Sequence, residues 1–135
     1  MSKVDLSGNY VLDKSENFDA FLKALNVGLV HRTMACKVKP TVEIVQKGDE
    51  FVIKTCTSLR SQQQIFRVGE EFKSNITWSD KDTKVRAYWE GDKLVISPVE
   101  EDKNLPILTR EIQDGRLILT QQIGNVVAKR YFVSC

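Results

Sequence analysis

The chain has 135 residues, of which 41% are hydrophobic and 28% are charged, and its formal net charge is +2. This length suits a single domain over residues 1–135, and the composition excludes an intrinsically disordered or collagen-like chain. The even charge balance argues against nucleic acid as the main partner, and no apolar stretch has the length of a signal-peptide core or a transmembrane helix, so we expect a cytoplasmic protein.

The first forty residues predict one strand followed by two helices. Residues 7–14 alternate as a strand, and the next segment has helical spacing, with Ser15 as its candidate N-cap. The apolar positions of the first helix are Phe18, Phe21, Leu22 and Leu25. Gly28 ends or breaks this helix, and Pro40 bars continuation of a second one. The positions that begin the second helix are Val27, Val30, Met34 and Lys37.

Short alternating segments fill the rest of the chain, with glycine and Asx turn signals roughly every ten residues between them. The segments are 41–47, 51–57, 62–67, 71–78, 83–90, 93–97, 106–113, 116–123 and 126–133. Together with 7–14 they make ten strands, and this even spacing is typical of an antiparallel up-and-down β-barrel or a sandwich. A ten-stranded barrel is too wide for its own side chains to fill, so we expect a ligand-binding lumen with a helix-turn-helix lid over one end.

Two arginines lie where half-buried strands should carry apolar residues. Two-residue hairpin loops at 114–115 and 124–125 would pair Arg110 with Leu119 and Leu119 with Arg130. Both guanidinium groups would then point inward at one level of one sheet, on strands about 10 Å apart. Such a pair requires an anion, and we expect a ligand carboxylate. The alternative is that both arginines lie at the surface or at a barrel end in ordinary ion pairs.

Further polar residues are candidates for the lumen wall. Gln121 shares its face with Leu119, so it either binds a head group or lies at a barrel end in contact with solvent. Thr55 is either a wall residue or simply a good strand former. The pattern leaves open whether the face of Gln62 and Gln64 or the face of Gln63 points inward.

Catalytic and metal-binding patterns are missing from the sequence. The three cysteines, Cys36, Cys56 and Cys135, have no metal-ligand spacing, and their odd number fits reduced thiols. His31 is the only histidine, and no Gly-x-Ser-x-Gly motif accompanies it. We therefore predict no catalytic residue, no metal and no cofactor, and treat a lipid-modifying enzyme as the less favoured alternative.

Residues 8–25, GNYVLDKSENFDAFLKAL, resemble the amino-terminal signature of the intracellular lipid-binding proteins, which include fatty-acid-binding and cellular retinoid-binding proteins. Weaker blocks in the same order are 39–40, 43–46, 53–55, 68–72, 109–111 and 114–120. The resemblance implies a ten-stranded, lipocalin-like (calycin) barrel with a two-helix lid and a water-filled cavity. It also implies a monomeric, non-enzymatic carrier of one hydrophobic ligand.

The resemblance assigns roles to individual residues. Arg110 matches the first carboxylate-binding arginine of the family, and Arg130 matches the arginine of its Arg-x-Tyr motif, where Phe132 replaces the tyrosine. It favours Gln64 pointing inward and places Leu59 near the ligand portal. We expect the apolar lid residues to pack on the barrel and some of them to touch ligand; the candidates for ligand contact are Phe18 and Met34.

The ligand class follows from the same comparison. Retinol-binding members of the family carry glutamine in place of Arg110 and lysine in place of Val42, so a fatty acid or retinoic acid fits better than retinol. A long-chain fatty acid is the leading candidate, and a retinoid or a bile acid is the alternative. The basic residues of the lid form either a solvated face or a surface for transient contact with anionic membranes. They are Lys23, His31, Arg32, Lys37 and Lys39.

Overall fold

Ten strands and two helices make up the part of the chain that the computed structural model describes, which is residues 4–58, 60–74, 82–100 and 104–135. The first strand and the helices are β1 (Gly8–Glu16), α1 (Phe18–Ala24) and α2 (Leu29–Lys37). The remaining strands are β2 (Thr41–Lys47), β3 (Glu50–Cys56), β4 (Ser61–Arg67), β5 (Glu71–Ser74), β6 (Thr83–Glu90), β7 (Lys93–Pro98), β8 (Ile107–Gln113), β9 (Arg116–Ile123) and β10 (Val126–Ser134).

The strands form one antiparallel sheet in the order β4-β3-β2-β1-β10-β9-β8-β7-β6-β5. Apart from β4 and β5, strands that are consecutive in the chain pair with each other, and β1 pairs with β10, which closes the sheet into a nearly complete barrel. The edge strands β4 and β5 do not pair with each other, but Gln64 Nε2 of β4 donates a hydrogen bond to Ser74 Oγ of β5 across the gap. The prediction of a ten-stranded up-and-down barrel with two helices is confirmed.

Tight turns set the register of the last three strands. Asp114 and Gly115 have φ angles of 52° and 77°, and Gly124 has φ of 56°, which is the left-handed backbone that two-residue hairpin loops require. Arg110 therefore pairs with Leu119, and Leu119 pairs with Arg130, as the sequence predicts.

One strand carries an irregularity that affects the site. Leu12 of β1 opposes Phe132 of β10, but the next pair is Lys14 with Tyr131, and then Ser15 with Arg130. One extra residue, Asp13, is therefore inserted in β1, which is a β-bulge. The bulge restarts the alternation of side chains, so Ser15 faces Arg130.

Aromatic side chains fill one end of the barrel. Phe66 stacks on Phe51 and on Phe72 with ring centroids 5.3 and 4.8 Å apart, and Trp89 lies 6.1 Å from Phe51. These residues lie near the turns that join β2 to β3 and β6 to β7, away from the helices. Burying each such ring contributes on the order of 2 kcal/mol, so this end is a packed core and not open lumen.

Helix α1 covers the opposite end. Its buried residues Phe18, Phe21 and Leu22 pack with Ile123 of β9 and Ala128 of β10. The predicted N-cap is wrong: β1 continues through Ser15 to Glu16, and the N-cap is Asn17, which has a left-handed φ of 63°.

Helix α2 follows the break predicted at Gly28, which is its N-cap. It buries none of its side chains, and Val30 and Met34 are 70% and 48% exposed. The prediction that these two residues pack on the barrel is therefore wrong, because the apolar stripe of α2 faces outward. Neither helix in the described ranges is long and apolar enough to cross a membrane.

Candidate ligand-binding site

A cavity of about 130 Å³ lies between the aromatic core and the helices. Its apolar wall consists of Pro40, Val42, Ile53, Leu108, Leu117, Leu119 and Phe132. Its polar wall consists of Thr55, Gln62, Gln64, Arg110, Gln121 and Arg130. The cavity is therefore amphipathic, with two positive charges and with no carboxylate among the described residues that line it.

The two arginines form a row across β8, β9 and β10, with Leu119 between them. Arg110 is 8% exposed and Arg130 is 7% exposed, and neither forms an ion pair with an acidic side chain of the described ranges. Burial lowers the pKa of each guanidinium to about 10, so both remain charged at neutral pH. Two charges held in this way favour an anionic partner.

Arg130 is oriented by residues of β1 and α1. Its Nε donates a hydrogen bond of 3.0 Å to Ser15 Oγ, and its guanidinium carbon lies 3.9 Å from the centre of the Phe18 ring. A cation over an aromatic face contributes about 0.5–2 kcal/mol, depending on how far it is desolvated. The β1 bulge thus supplies the hydroxyl, and the buried face of α1 supplies the ring.

Arg110 and Gln121 each have a buried polar atom without a partner. Arg110 Nη1 and Gln121 Oε1 make no hydrogen bond to any part of the chain that is described. Unpaired buried groups of this kind are uncommon, and each destabilises the fold by about 1–3 kcal/mol. A ligand that formed hydrogen bonds to these two atoms would remove this cost.

The opposite wall, on β3 and β4, is also polar. Thr55 pairs with Gln62 and Ile53 pairs with Gln64, and all four face the cavity, whereas Gln63 is exposed. The structure therefore answers the question that the sequence pattern left open, and it adds Gln62 to the wall.

The remaining predicted residues lie in different places. Phe132 is buried beside Leu117 and presents an apolar ring to the cavity. Phe18 does not line the cavity, but its ring contacts Arg130, which does. Met34 lies outside the cavity, on α2. Leu59 is outside the described residues. Sequence reasoning missed Ser15 as an arginine partner, because the bulge that aims it inward has no local signal.

The cysteines do not form a metal site with the other ligating side chains that the structure describes. Cys36, Cys56 and Cys135 are free thiols. Within the described ranges, no three His, Cys, Asp or Glu side chains are grouped so that they could hold a metal ion.

The chain is similar in sequence and in structure to known proteins. A sequence profile of the "Lipocalin / cytosolic fatty-acid binding protein family" matches residues 7–133. "Fatty acid-binding protein" of Tyrophagus putrescentiae is 36% identical over 129 residues, which are 96% of this chain and 97% of that protein. "Cellular retinoic acid-binding protein 2" of Homo sapiens is 37% identical over 135 residues, which are 96% of this chain and 97% of that protein. The solved structure "Human cRBP IV" has a TM-score of 0.89 at 34% identity and covers 98% of this chain and 99% of its own.

Proposed function

Because the chain belongs to the lipocalin / cytosolic fatty-acid binding protein family, whose members are non-enzymatic binding proteins, we propose that it carries a hydrophobic carboxylate held by Arg110 and Arg130. A long-chain fatty acid is the leading ligand, and retinoic acid is the second candidate. We place this carrier in the cytoplasm as a monomer.

The observation that carries the proposal is the buried arginine row without an acidic partner among the described residues. A carboxylate would neutralise part of this charge and accept charge-assisted hydrogen bonds worth about 1.5–3 kcal/mol each. The alkyl chain would contribute about 0.8 kcal/mol per buried methylene. The arginines therefore select and orient the ligand, and burial of its chain supplies most of the affinity.

The size of the cavity bears on the choice between ligands. At about 130 Å³ it is smaller than the roughly 300–1,000 Å³ of pockets that hold drug-sized molecules, so lining side chains must move when a long ligand enters. A saturated acyl chain can bend to follow the space that opens, whereas the rigid polyene of a retinoid needs a preformed slot. This difference favours a fatty acid.

Binding of matched lipids tests the head-group assignment. We expect Arg130→Gln to lower the affinity for hexadecanoic acid roughly tenfold or more. The affinity for hexadecanol should fall by less than about twofold, because only the acid loses a charge-assisted hydrogen bond. Arg116→Gln is the control, because Arg116 is exposed at the β8–β9 turn. Equal losses for acid and alcohol in Arg130→Gln would refute a direct charge interaction.

An exposed apolar patch on α2 favours delivery to membranes. Leu29, Val30 and Met34 are exposed on this helix, and the basic residues Lys23 and Lys37 lie nearby in the chain. We expect transfer of a fluorescent fatty acid to phosphatidylserine vesicles to slow in a Leu29→Ser/Val30→Ser variant. Ile65→Ser, which removes an exposed apolar side chain from the barrel wall, is the control. Equal transfer rates for the wild type and the double variant would reject membrane contact through α2.

A further inference from the structure

The two unpaired buried atoms of the cavity wall differ in kind. Arg110 Nη1 is a donor, and Gln121 Oε1 is an acceptor. An ionised carboxylate has only acceptors, so it can satisfy the arginine but not the glutamine oxygen. We propose that the preferred ligand carries a hydroxyl on the carbons next to its carboxylate, as an α- or β-hydroxy fatty acid does, and that Gln121 selects it. This inference rests on the proposed carboxylate site.

The strand register places Gln121 next to the arginine row. Gln121 follows Leu119 by two residues on β9, so it shares the inward face and lies diagonally across from both Arg110 and Arg130. Diagonal neighbours in an antiparallel sheet have Cα atoms about 7–8 Å apart, within reach of long side chains. A hydroxyl a few bonds from a carboxylate held by Arg110 can therefore approach the glutamine amide.

The direct cross-strand neighbours of Gln121 have no donor to offer, and the Arg110 guanidinium on the diagonal makes no hydrogen bond to the Gln121 oxygen. Its direct cross-strand partners are Leu108 on β8 and Ala128 on β10, and both are apolar and buried. Gln121 itself is 7% exposed, so the amide has little access to bulk solvent. Ala128 also belongs to the apolar cluster beneath α1, which offers no polar group to the amide. A ligand hydroxyl would donate to Oε1 while its carboxylate accepts from the guanidinium.

The test measures preference between lipids that differ by one oxygen. Isothermal titration with hexadecanoic acid and its α-, β- and ω-hydroxy derivatives gives the affinity of each. We expect the α- or β-hydroxy acid to bind the wild type about fivefold to tenfold tighter than the parent, as one net hydrogen bond predicts. The ω-hydroxy acid should gain nothing, because its hydroxyl lies at the far end of the chain.

Variants of β9 identify the residue responsible. Gln121→Leu should bring the ratio of the two affinities to about one. Gln122→Leu, one position along the same strand with its side chain exposed outside the barrel, should keep the wild-type ratio. Gln121→Met, which preserves the length of the side chain, repeats the test if the leucine variant unfolds on heating at a markedly lower temperature.

Three results would overturn the inference. The first is equal affinity of the wild type for the parent and for the α- and β-hydroxy acids. The second is a preference that survives in Gln121→Leu. The third is an equal loss of affinity for the parent and the hydroxylated acid in that variant, which would mean that the Gln121 amide donates a hydrogen bond to the carboxylate itself. Failure of the carboxylate site is separate: hexadecanoic acid would then bind equally well to the wild type and to Arg130→Gln.

Discussion

Replacing Arg110 by methionine should stabilise the ligand-free protein and lower its affinity for carboxylic acids. Arg110 is a buried cation without an acidic partner in the described ranges, and one of its nitrogens makes no hydrogen bond there. Methionine has a similar reach without the charge, and it adapts to irregular space. Substitution should therefore remove a desolvation penalty and a ligand contact together.

The magnitude follows from the pKa of the guanidinium. Burial lowers this pKa to about 10, more than two pH units below its usual value, which at about 1.4 kcal/mol per pH unit disfavours the charged folded form by about 3 kcal/mol. Because the pKa in the folded state is the lower one, the full penalty applies at every pH below about 10, and it declines as pH rises above that value. At neutral pH we therefore expect the free energy of unfolding to rise by between about 1 and 3 kcal/mol.

Urea denaturation of delipidated protein measures this gain, and titration with hexadecanoic acid measures the accompanying loss. The affinity should fall by roughly tenfold or more, the equivalent of at least one charge-assisted hydrogen bond. Arg116→Met, at an exposed arginine that lies 3.9 Å from Asp13, should change neither quantity appreciably. A lower urea midpoint for Arg110→Met would show that the guanidinium is stabilising in the folded protein, and the desolvation argument would then be wrong.

Three further substitutions test single contacts. Phe132→Tyr should tighten acid binding by up to about tenfold, since a phenol hydroxyl would enter the cavity wall beside the arginines; titration showing no gain would place the ring away from the carboxylate. Ser15→Ala should lower the affinity for acids several-fold, because it removes the hydrogen bond that orients Arg130 Nε. Unchanged affinity would mean that the Phe18 ring alone is enough to orient the guanidinium. Gly115→Ala should lower stability in urea by about 1–2 kcal/mol, because φ is 77° there while the space around it is open; no change would indicate that the turn relaxes.

The arginine row can be predicted from the sequence because it depends on short-range rules. Two-residue loops at 114–115 and 124–125 fix the pairing of three consecutive strands, and alternation within each strand then fixes the faces. The contacts of Arg130 with Ser15 and Phe18 depend instead on the pairing of β1 with β10, which brings together residues more than a hundred positions apart. No turn chemistry specifies that register.

The errors at the helices have a similar origin. Ser15 is a good N-cap by residue type, but strand pairing with β10 extends β1 through it, and tertiary structure overrides the local preference. The spacing of Val30 and Met34 indicates an amphipathic helix but not which side of it meets the barrel. The choice between the faces of β4 likewise required the pairing with β3, which places Gln62 opposite Thr55.

The bulge at Asp13 decides which functional group of β1 meets Arg130. Had β1 kept an uninterrupted two-residue phase beyond Leu12, Lys14 would point into the lumen, and an ammonium would confront the guanidinium. Instead Lys14 lies outside, 4.9 Å from the centre of the Tyr131 ring. Because the bulge takes up Asp13, deleting this residue would leave Ser15 opposite Arg130 in a regular strand. A shift of β1 that abolishes the bulge while keeping Asp13 would instead bring Lys14 and the two guanidinium groups together as three cations. In this barrel the electrostatics of the interior depend on where one strand is bulged as much as on the identity of its residues.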